Sequence, residues 1–330
     1  MKAIWFEEFG PAADVLNIGD QPKPDIGSGE VLVRLKTSGP NPSDVKKRNA
    51  SFPNLLDGGH VIPHSDGAGI IEAVGEGVSS DRVGERVWVY QAQYGRRFGT
   101  AAEFVSVPSE RAPRLPDQAS FEIGACLGIP VMTAHRCVFS NGDVKGKTIL
   151  VTGGAGRVGY YAVQWAAMAG ATVIATASNE DDKAACIDAG AHHVVNHRQE
   201  TWPTDVLAFT NGEKIDRVVE VEFATNIENV LEIIRIGGTI ATYSSGSNLN
   251  PVIPFYRMMF MDLTVYMAIV YAMPEDAKSQ AIHDINEALA SNKLKHRIAA
   301  TVPFEDCARA HELVENSATR GCVIVNIEGD

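Results

Sequence analysis

The run Thr152-Gly153-Gly154-Ala155-Gly156-Arg157-Val158-Gly159 restricts the fold of this chain more than any other feature. It follows Thr148 to Thr152 (TILVT), a short apolar run of the kind that forms a buried parallel strand. It precedes Tyr160 to Met168, which reads as a helix stopped by Gly170. GxGxxG spacing alone is a weak signal, but between a strand and a helix it marks a dinucleotide site. A glycine permits the turn off the strand, Gly156 leaves room for a pyrophosphate, and Gly159 lets the helix close on the sheet. Backbone amides and the partial positive charge at the helix start then attract phosphates.

The pattern continues downstream. Strands are expected at Thr172 to Ala177, His193 to Asn196, Asp216 to Glu222 and Thr239 to Tyr243, the last after a break at Gly237-Gly238. A helix at Glu180 to Ala189 and another before Thr239 separate them, and Leu263 to Val270 is a last apolar run. Alternating strands and helices of this kind build a doubly wound parallel sheet. The first 120 residues differ. Val31 to Lys36 and Glu85 to Tyr90 alternate as strands, and Pro40-Asn41-Pro42 and Pro53-Asn54 are turn chemistry, so a twisted, barrel-like β domain is expected. A helix over Glu275 to Ala290 and a strand over Cys322 to Ile327 close the chain. The expected layout is a first domain over residues 1–122, a nucleotide domain over 123–270, and a tail, 271–330, that rejoins the first domain.

The second strand of the nucleotide domain ends at Ala177-Ser178. NAD-binding folds usually place an acid there for the ribose 2′-hydroxyl. Ser178 leaves room for a 2′-phosphate, and Lys183 and the His197-Arg198 pair can supply positive charge. Glu180-Asp181-Asp182 count against a phosphate, unless they form the first turn of a helix capped by Ser178 or Asn179. The balance favours NADPH over NADH. Ser244 and Ser245 close the fifth strand at the carboxyl edge of the sheet, where ligands bind.

Composition removes other classes. The net charge of −12, from 29 basic and 41 acidic residues, disfavours nucleic acid and anionic membrane partners. No stretch is long and apolar enough for a membrane span, and the start turns acidic too early for a secretory signal, so a cytoplasmic protein is expected. The five cysteines form no Cys-x-x-Cys pair and read as buried small hydrophobes.

Several stretches resemble the quinone oxidoreductase branch of the medium-chain dehydrogenase/reductases, which includes the zeta-crystallins. They are Gly128-Ile129-Pro130-Val131-Met132-Thr133-Ala134, Gly146 to Val151 with the glycine loop through Gln164, Ser65 to Gly75, and Gly84 to Val87. The likeness reaches Ser317-Ala318-Thr319-Arg320-Gly321. It implies an α/β protein: a Rossmann domain plus a GroES-like β-barrel catalytic domain, with a substrate cleft between them. It also implies NADPH as reductant, a small-molecule quinone or unsaturated carbonyl as substrate, and a homodimer or homotetramer. In such dimers the nucleotide sheets often pair edge to edge, here through Leu263 to Val270.

Zinc-dependent relatives hold their metal with a cysteine, a histidine and a second cysteine. Asn41 stands where the first cysteine would be and Ser65 where the histidine would be, and His64 is one residue early. No cysteine occurs before residue 126, so no zinc is expected. The resemblance assigns Asn41 to the nicotinamide ribose or a substrate carbonyl, Asp44 to orienting it or starting a helix, and Thr133 to the nicotinamide-proximal helix. Phe52 and Tyr94 are the candidate substrate contacts. Phe52 and Lys46 stand where tyrosines are expected, and Ala224 where zeta-crystallins carry asparagine, which bears on quinone specificity. Three other readings stay open: reduction of the C=C bond of enals, enones or enoyl thioesters, an NADPH-binding crystallin-like or RNA-associated role without turnover, and residual zinc alcohol dehydrogenase chemistry.

Overall fold

The computed structural model describes residues 1–316 and 319–327. Ser317 and Ala318 of the resemblance noted above lie outside the described residues. The chain divides into two compact units, Met1–Ile129 with the chain from Ile282 onward, and Pro130–Ala281.

The first unit begins with an antiparallel pair, β1 (Lys2–Trp5) and β2 (Asn17–Asp20), joined through α1 (Ala12–Val15). Then come β3 (Glu30–Gly39), α2 (Pro42–Arg48), β4 (Asp66–Val74), β5 (Arg86–Val89), β6 (Phe104–Pro108) and α3 (Phe121–Gly124). A single π-helical turn spans Leu127–Val131.

The second unit contains α4 (Met132–Phe139), β7 (Thr148–Val151), α5 (Gly159–Met168), β8 (Thr172–Ala177), α6 (Glu180–Asp188) and β9 (His193–Asn196). It continues with α7 (Trp202–Phe209), β10 (Ile215–Glu220), α8 (Phe223–Ile233), β11 (Ile234–Thr242), α9 (Phe255–Phe260) and β12 (Thr264–Met267). The division falls inside α10 (Glu275–Ala290), and the first unit is completed by β13 (Ile298–Pro303), α11 (Cys307–Glu315) and β14 (Cys322–Asn326).

The second unit's sheet has the order β12-β11-β10-β7-β8-β9, and all its pairings are parallel. This is the doubly wound Rossmann arrangement. Its centre is apolar because helices cover both faces: Ile149, Leu150 and Val151 of β7 are fully buried. Burying such side chains contributes about 1.5–3 kcal/mol each. Two expectations need correction. Gly237-Gly238 is not a break before the strand but lies inside β11, where Gly237 takes φ +70° and the register against β10 shifts. The helix α7, masked by its Trp202-Pro203 start, is an element the sequence reading did not name.

The first unit's sheet has the order β13-β14-β3-β4-β5, with β6 also on β3. It is the GroES-like barrel. The tail rejoins it through β14, which pairs antiparallel with β3 at Val325–Ser38. Val31, Val33, Leu35, Val87, Val105, Val323 and Val325 form one core. Among the described residues, no helix is long and apolar enough to cross a membrane.

Candidate functional site

In the second unit the glycine loop spans the gap between β7 and α5. Gly153 has φ +61°, a conformation that favours glycine, and its amide donates to the Thr176 hydroxyl at 2.9 Å. Gly154 and Gly156 donate to the Thr176 and Gly153 carbonyls. The Gly153 and Gly154 amides are thus committed to Thr176 of β8 and the Gly156 amide to the loop, which leaves the opening turn of α5 as the candidate phosphate end. The close-packed glycine also differs from expectation. A Cβ on Gly159 would lie 2.1 Å from the Gly153 carbonyl oxygen, so this glycine folds the helix start onto the loop rather than onto the sheet. Gly154 is the one pressed on the sheet, against Ala175. A Cβ on Gly156 would meet only the Gly153 oxygen, at 3.1 Å. Ala155 is buried, and Gly156, Arg157 and Val158 are half-buried.

A cavity of about 580 Å³ opens at the carboxyl ends of β8 and β9. Ser178, Asn179, Glu180 and Lys183 line it from one side and Asn196, Asp205 and Phe209 from the other. The cap question is resolved: Asn179 Oδ1 accepts the Asp182 amide at 2.8 Å, which places Glu180, Asp181 and Asp182 in the first turn of α6. Lys183 lies 3.7 Å from Glu180, with both side chains largely in solvent. Ser178 and Lys183 are therefore brought together. His197 lies beyond β9, exposed, and is not among the lining residues. The loop and this cavity together suit a dinucleotide: a tight approach for the diphosphate and a polar pocket two strands away for the adenosine end.

Ser244 and Ser245 follow β11 at the carboxyl edge. The Ser245 hydroxyl donates to the Asn248 carbonyl at 2.7 Å and accepts the Ala224 amide, so it shapes its own loop. Glu222 holds the same loop by accepting from the Gly246 amide and from the Ser247 amide and hydroxyl. Beside the glycine loop, Glu220 accepts from Thr152 Oγ1, the Glu222 amide and Asn226 Nδ2. Burial raises its carboxyl above the ordinary range, against those hydrogen bonds. The signal for Glu220 was an acid directly flanked by valines, in Val218-Val219-Glu220-Val221. Thr133 is the second residue of α4 and is buried.

In the first unit, Asn41 precedes α2 and Asp44 is its third residue. Asp44 Oδ2 accepts the Asn41 amide at 2.8 Å, so Asp44 is a helix-start acid and an orienting group at once. Asn41 Nδ2 donates to the Gly39 carbonyl at 3.0 Å and to Asp66 Oδ2 at 2.8 Å. With both hydrogens committed, Asn41 can meet a ligand only as an acceptor, through Oδ1. Asp66 Oδ2 also accepts the Ile129 amide at 2.8 Å. Lys47 was not singled out from the sequence, yet it is buried, donates to Gln93 Oε1 at 2.7 Å and lies 3.9 Å from Asp44 Oδ1. Phe52 and Tyr94 are exposed, beside a 3-10 turn (Pro53–Leu56) and in the turn after Gln91.

The sequence shows no cluster of metal ligands, but the fold makes one. His64, Cys307 and His311 are buried with ligand atoms within 4.8 Å of one another. His64 has φ +77°, and this left-handed backbone turns its ring inward to Ser38 and His311. Hydrogen-bond polarity decides what the group is. Arg48 can only donate, and its Nε reaches His311 Nδ1 at 3.4 Å, so the His311 proton sits on Nε2. That proton points at His64 Nε2, 2.9 Å away. His64 then donates from Nδ1 to Ser38 Oγ, which donates to Thr100 Oγ1, which donates to the Asp66 carbonyl. A metal would need both Nε2 atoms bare, and burial pushes the Cys307 thiol up to about 12. The residues fit a hydrogen-bonded chain, not a zinc site.

Residues 158–287 match the family model for zinc-binding dehydrogenases, and residues 27–117 match that for the alcohol dehydrogenase GroES-like domain. The quinone oxidoreductase of Rattus norvegicus is 28% identical, with 98% of this chain and 97% of that protein covered. A 2-haloacrylate reductase of Burkholderia sp is 26% identical, covering 89% of this chain and 94% of its own. Two solved structures superimpose with TM-scores of 0.88 at 28% identity, covering 99% of this chain and all of each of theirs. One is a mycobacterial protein complexed with NADPH, the other an NAD-dependent alcohol dehydrogenase.

Proposed function

We propose that this chain, a member of the zinc-independent quinone oxidoreductase branch of the medium-chain dehydrogenase/reductase superfamily, reduces quinones or quinone-like acceptors with NADPH. The observation that carries this reading is the loop between β7 and α5, where Gly159 folds the helix start onto Gly153 and Gly156 stays open to an approaching diphosphate. NADPH, when bound, supplies the hydride.

The protein's own part is binding, orientation and electrostatics. The first turn of α5 takes the diphosphate, with Gly156 leaving room for its approach. Ser178 and Lys183 take the 2′-phosphate, with Glu180 beside Lys183 weakening that preference. Ser244 and Ser245 border the ring side of the cofactor at the edge of the sheet, and Thr133 lies near it on α4. Asn41 accepts a hydrogen bond from the nicotinamide ribose through Oδ1, held there by Asp44 and Asp66. Phe52 and Tyr94 offer aromatic faces to a flat acceptor. A quinone or enone is electron-poor enough to accept hydride without a Lewis acid, and the carbonyl oxygen then takes a proton.

NADPH consumption against a panel of quinones, enones and enoyl thioesters tests the reading. Turnover confined to C=C acceptors would replace the quinone assignment with the enone one, which the similarity to the 2-haloacrylate reductase supports. NADPH binding without turnover on any acceptor would leave only the non-catalytic role.

We infer a cytoplasmic homo-oligomer. β12 is one of the two edge strands of the parallel sheet, and Tyr256, Phe260 and Met267 on α9 and β12 are at least 70% exposed, a patch that a second copy of the chain would cover.

A further inference from the structure

Two buried carboxyl groups and one buried ammonium meet around Asn41, and the proposed role of Asn41 does not account for the ammonium. Asp44 and Asp66 are fully buried, and Lys47 is nearly so. Each carboxyl uses one oxygen on Asn41 and keeps the other, Oδ1, buried without a hydrogen-bond partner. Lys47 Nζ approaches Asp44 Oδ1 at 3.9 Å and is anchored by Gln93 Oε1. Asp66 Oδ1 sits in the notch at Gly128, where a Cβ would come within 2.1 Å of it.

Counting charge decides the protonation state. Burying an unpaired charge costs several kcal/mol, so the cluster settles near neutrality. One ammonium balances one carboxylate. Asp44 is the partner within reach of Lys47, so Asp66 carries the proton, on the oxygen that faces Gly128. The other groups near the cluster do not change this balance. His64 faces Lys47 from the lead-in to β4, and burial keeps it neutral. Cys307 on α11 faces Asp44, and its thiol is held protonated by burial. Cys322 on β14 lies near Asp66.

We propose that Lys47 is a positioning residue for the reduction: its buried ammonium is the counter-charge that holds the Asp44 carboxylate in the core, and the neutral pair fixes the turn that presents the Asn41 carbonyl oxygen. The proposal rests on the reductase reading above. Once the ammonium gives its proton to solvent at alkaline pH, Asp44 is left as a buried carboxylate with no counter-charge, a state that burial disfavours. Water drawn in to solvate that charge competes with the Asn41 amide for Asp44 Oδ2 and loosens the turn. Desolvation lowers the Lys47 ammonium below the ordinary lysine range, with Asp44 and then Asp66 pulling it back up, and this brings the transition toward accessible alkaline pH.

Two measurements on the full-length protein test this. The first needs no cofactor. Nitrogen-15 NMR of the lysine ammonium groups should show Lys47 titrating below the surface lysines, and Asp44→Asn should push it lower still. A Lys47 resonance that titrates with the surface set, or that ignores Asp44→Asn, overturns the proposal. The second is the pH profile of kcat. Wild type should lose activity on the alkaline side. Lys47→Arg, which keeps its charge at every accessible pH, should abolish that limb. Lys47→Met should lower kcat by about tenfold, with the KM for NADPH changed less than about twofold, because misorientation costs rate more than binding. If Lys47→Met does not fold, Lys47→Arg still decides. An unchanged alkaline limb in Lys47→Arg overturns the positioning role while the reductase reading stands. A wild type that turns over no acceptor overturns both.

Discussion

His64 and His311, 247 residues apart in sequence, face each other through their Nε2 atoms at 2.9 Å in a fully buried, stacked pair. The contact ties β4's lead-in to α11, and Arg48 extends it to Glu315 and the Gly10 carbonyl. Only one imidazole proton lies between the two rings. Adding a second would set two donors against each other in an apolar site.

Acid stability follows from that arrangement. Burial pushes His311 down to about 3, helped by Arg48, and holds His64 well below 6.5. Both are neutral when folded and take up protons when unfolded, so stability is full above pH 6.5 and falls as pH drops from there toward about 3. Each histidine adds about 1.4 kcal/mol per pH unit to that slope. Urea unfolding of His311→Gln between pH 6.5 and 4.5 should be shallower than wild type by about that amount per unit. Parallel slopes would show that His311 is already protonated in the folded protein.

The glycine loop predicts a contrast between two substitutions. Gly159→Ala puts a Cβ 2.1 Å from a backbone oxygen that cannot move without unmaking the loop, so both thermal stability and NADPH affinity should fall. Gly156→Ala meets only a 3.1 Å contact, so Tm should change little while NADPH affinity falls by about tenfold or more. Calorimetry and thermal melts read both quantities. Unaltered NADPH affinity in Gly156→Ala would place the diphosphate elsewhere.

The parts of this fold that could be read in the sequence are those set by neighbours in the chain. β7, β9 and α10 carry their own periodicity and punctuation, so the expected residues form them. The glycine turn was readable because strand, turn and helix are contiguous. What could not be read depends on distant partners. Gly237-Gly238 looks like a stop, and it becomes part of β11 because β10 tolerates a bulge there. The burial of Lys47 needs Gln93, and the inward turn of His64 needs α11 to supply His311. Composition and spacing carry no trace of either. Asn41 was readable as a position, but the commitment of both its amide hydrogens was not.

Cofactor choice should respond to three side chains around the cavity at β8 and β9. On the proposed placement of the 2′-phosphate, Lys183→Ala should weaken NADPH by about 1 kcal/mol and leave NADH nearly unchanged. Glu180→Gln should act oppositely and tighten NADPH slightly, since its carboxylate lies 3.7 Å from the lysine. Ser178→Asp should favour NADH by supplying an acceptor for the ribose hydroxyls and repelling the phosphate. Titrations with both nucleotides measure each effect. Equal losses for NADH and NADPH in Lys183→Ala would remove the lysine from the phosphate site.

The open edge at β12 makes the last prediction. Its neighbour β11 pairs on one side only with β12, whose own outer side meets no strand among the described residues. Met267 and Phe260 are 73% and 78% exposed there, and apolar side chains of that size gain about 1.5–3 kcal/mol each on full burial. Two copies joined along this edge would extend the sheet and cover α9 together. Sedimentation velocity should then report a multiple of the 35.5 kDa chain. Phe260→Glu combined with Met267→Lys should return it to the single-chain mass, while the NADPH affinity of residues 153–159 is retained. A wild type that already sediments as one chain at micromolar concentration leaves the apolar edge without a second copy to cover it.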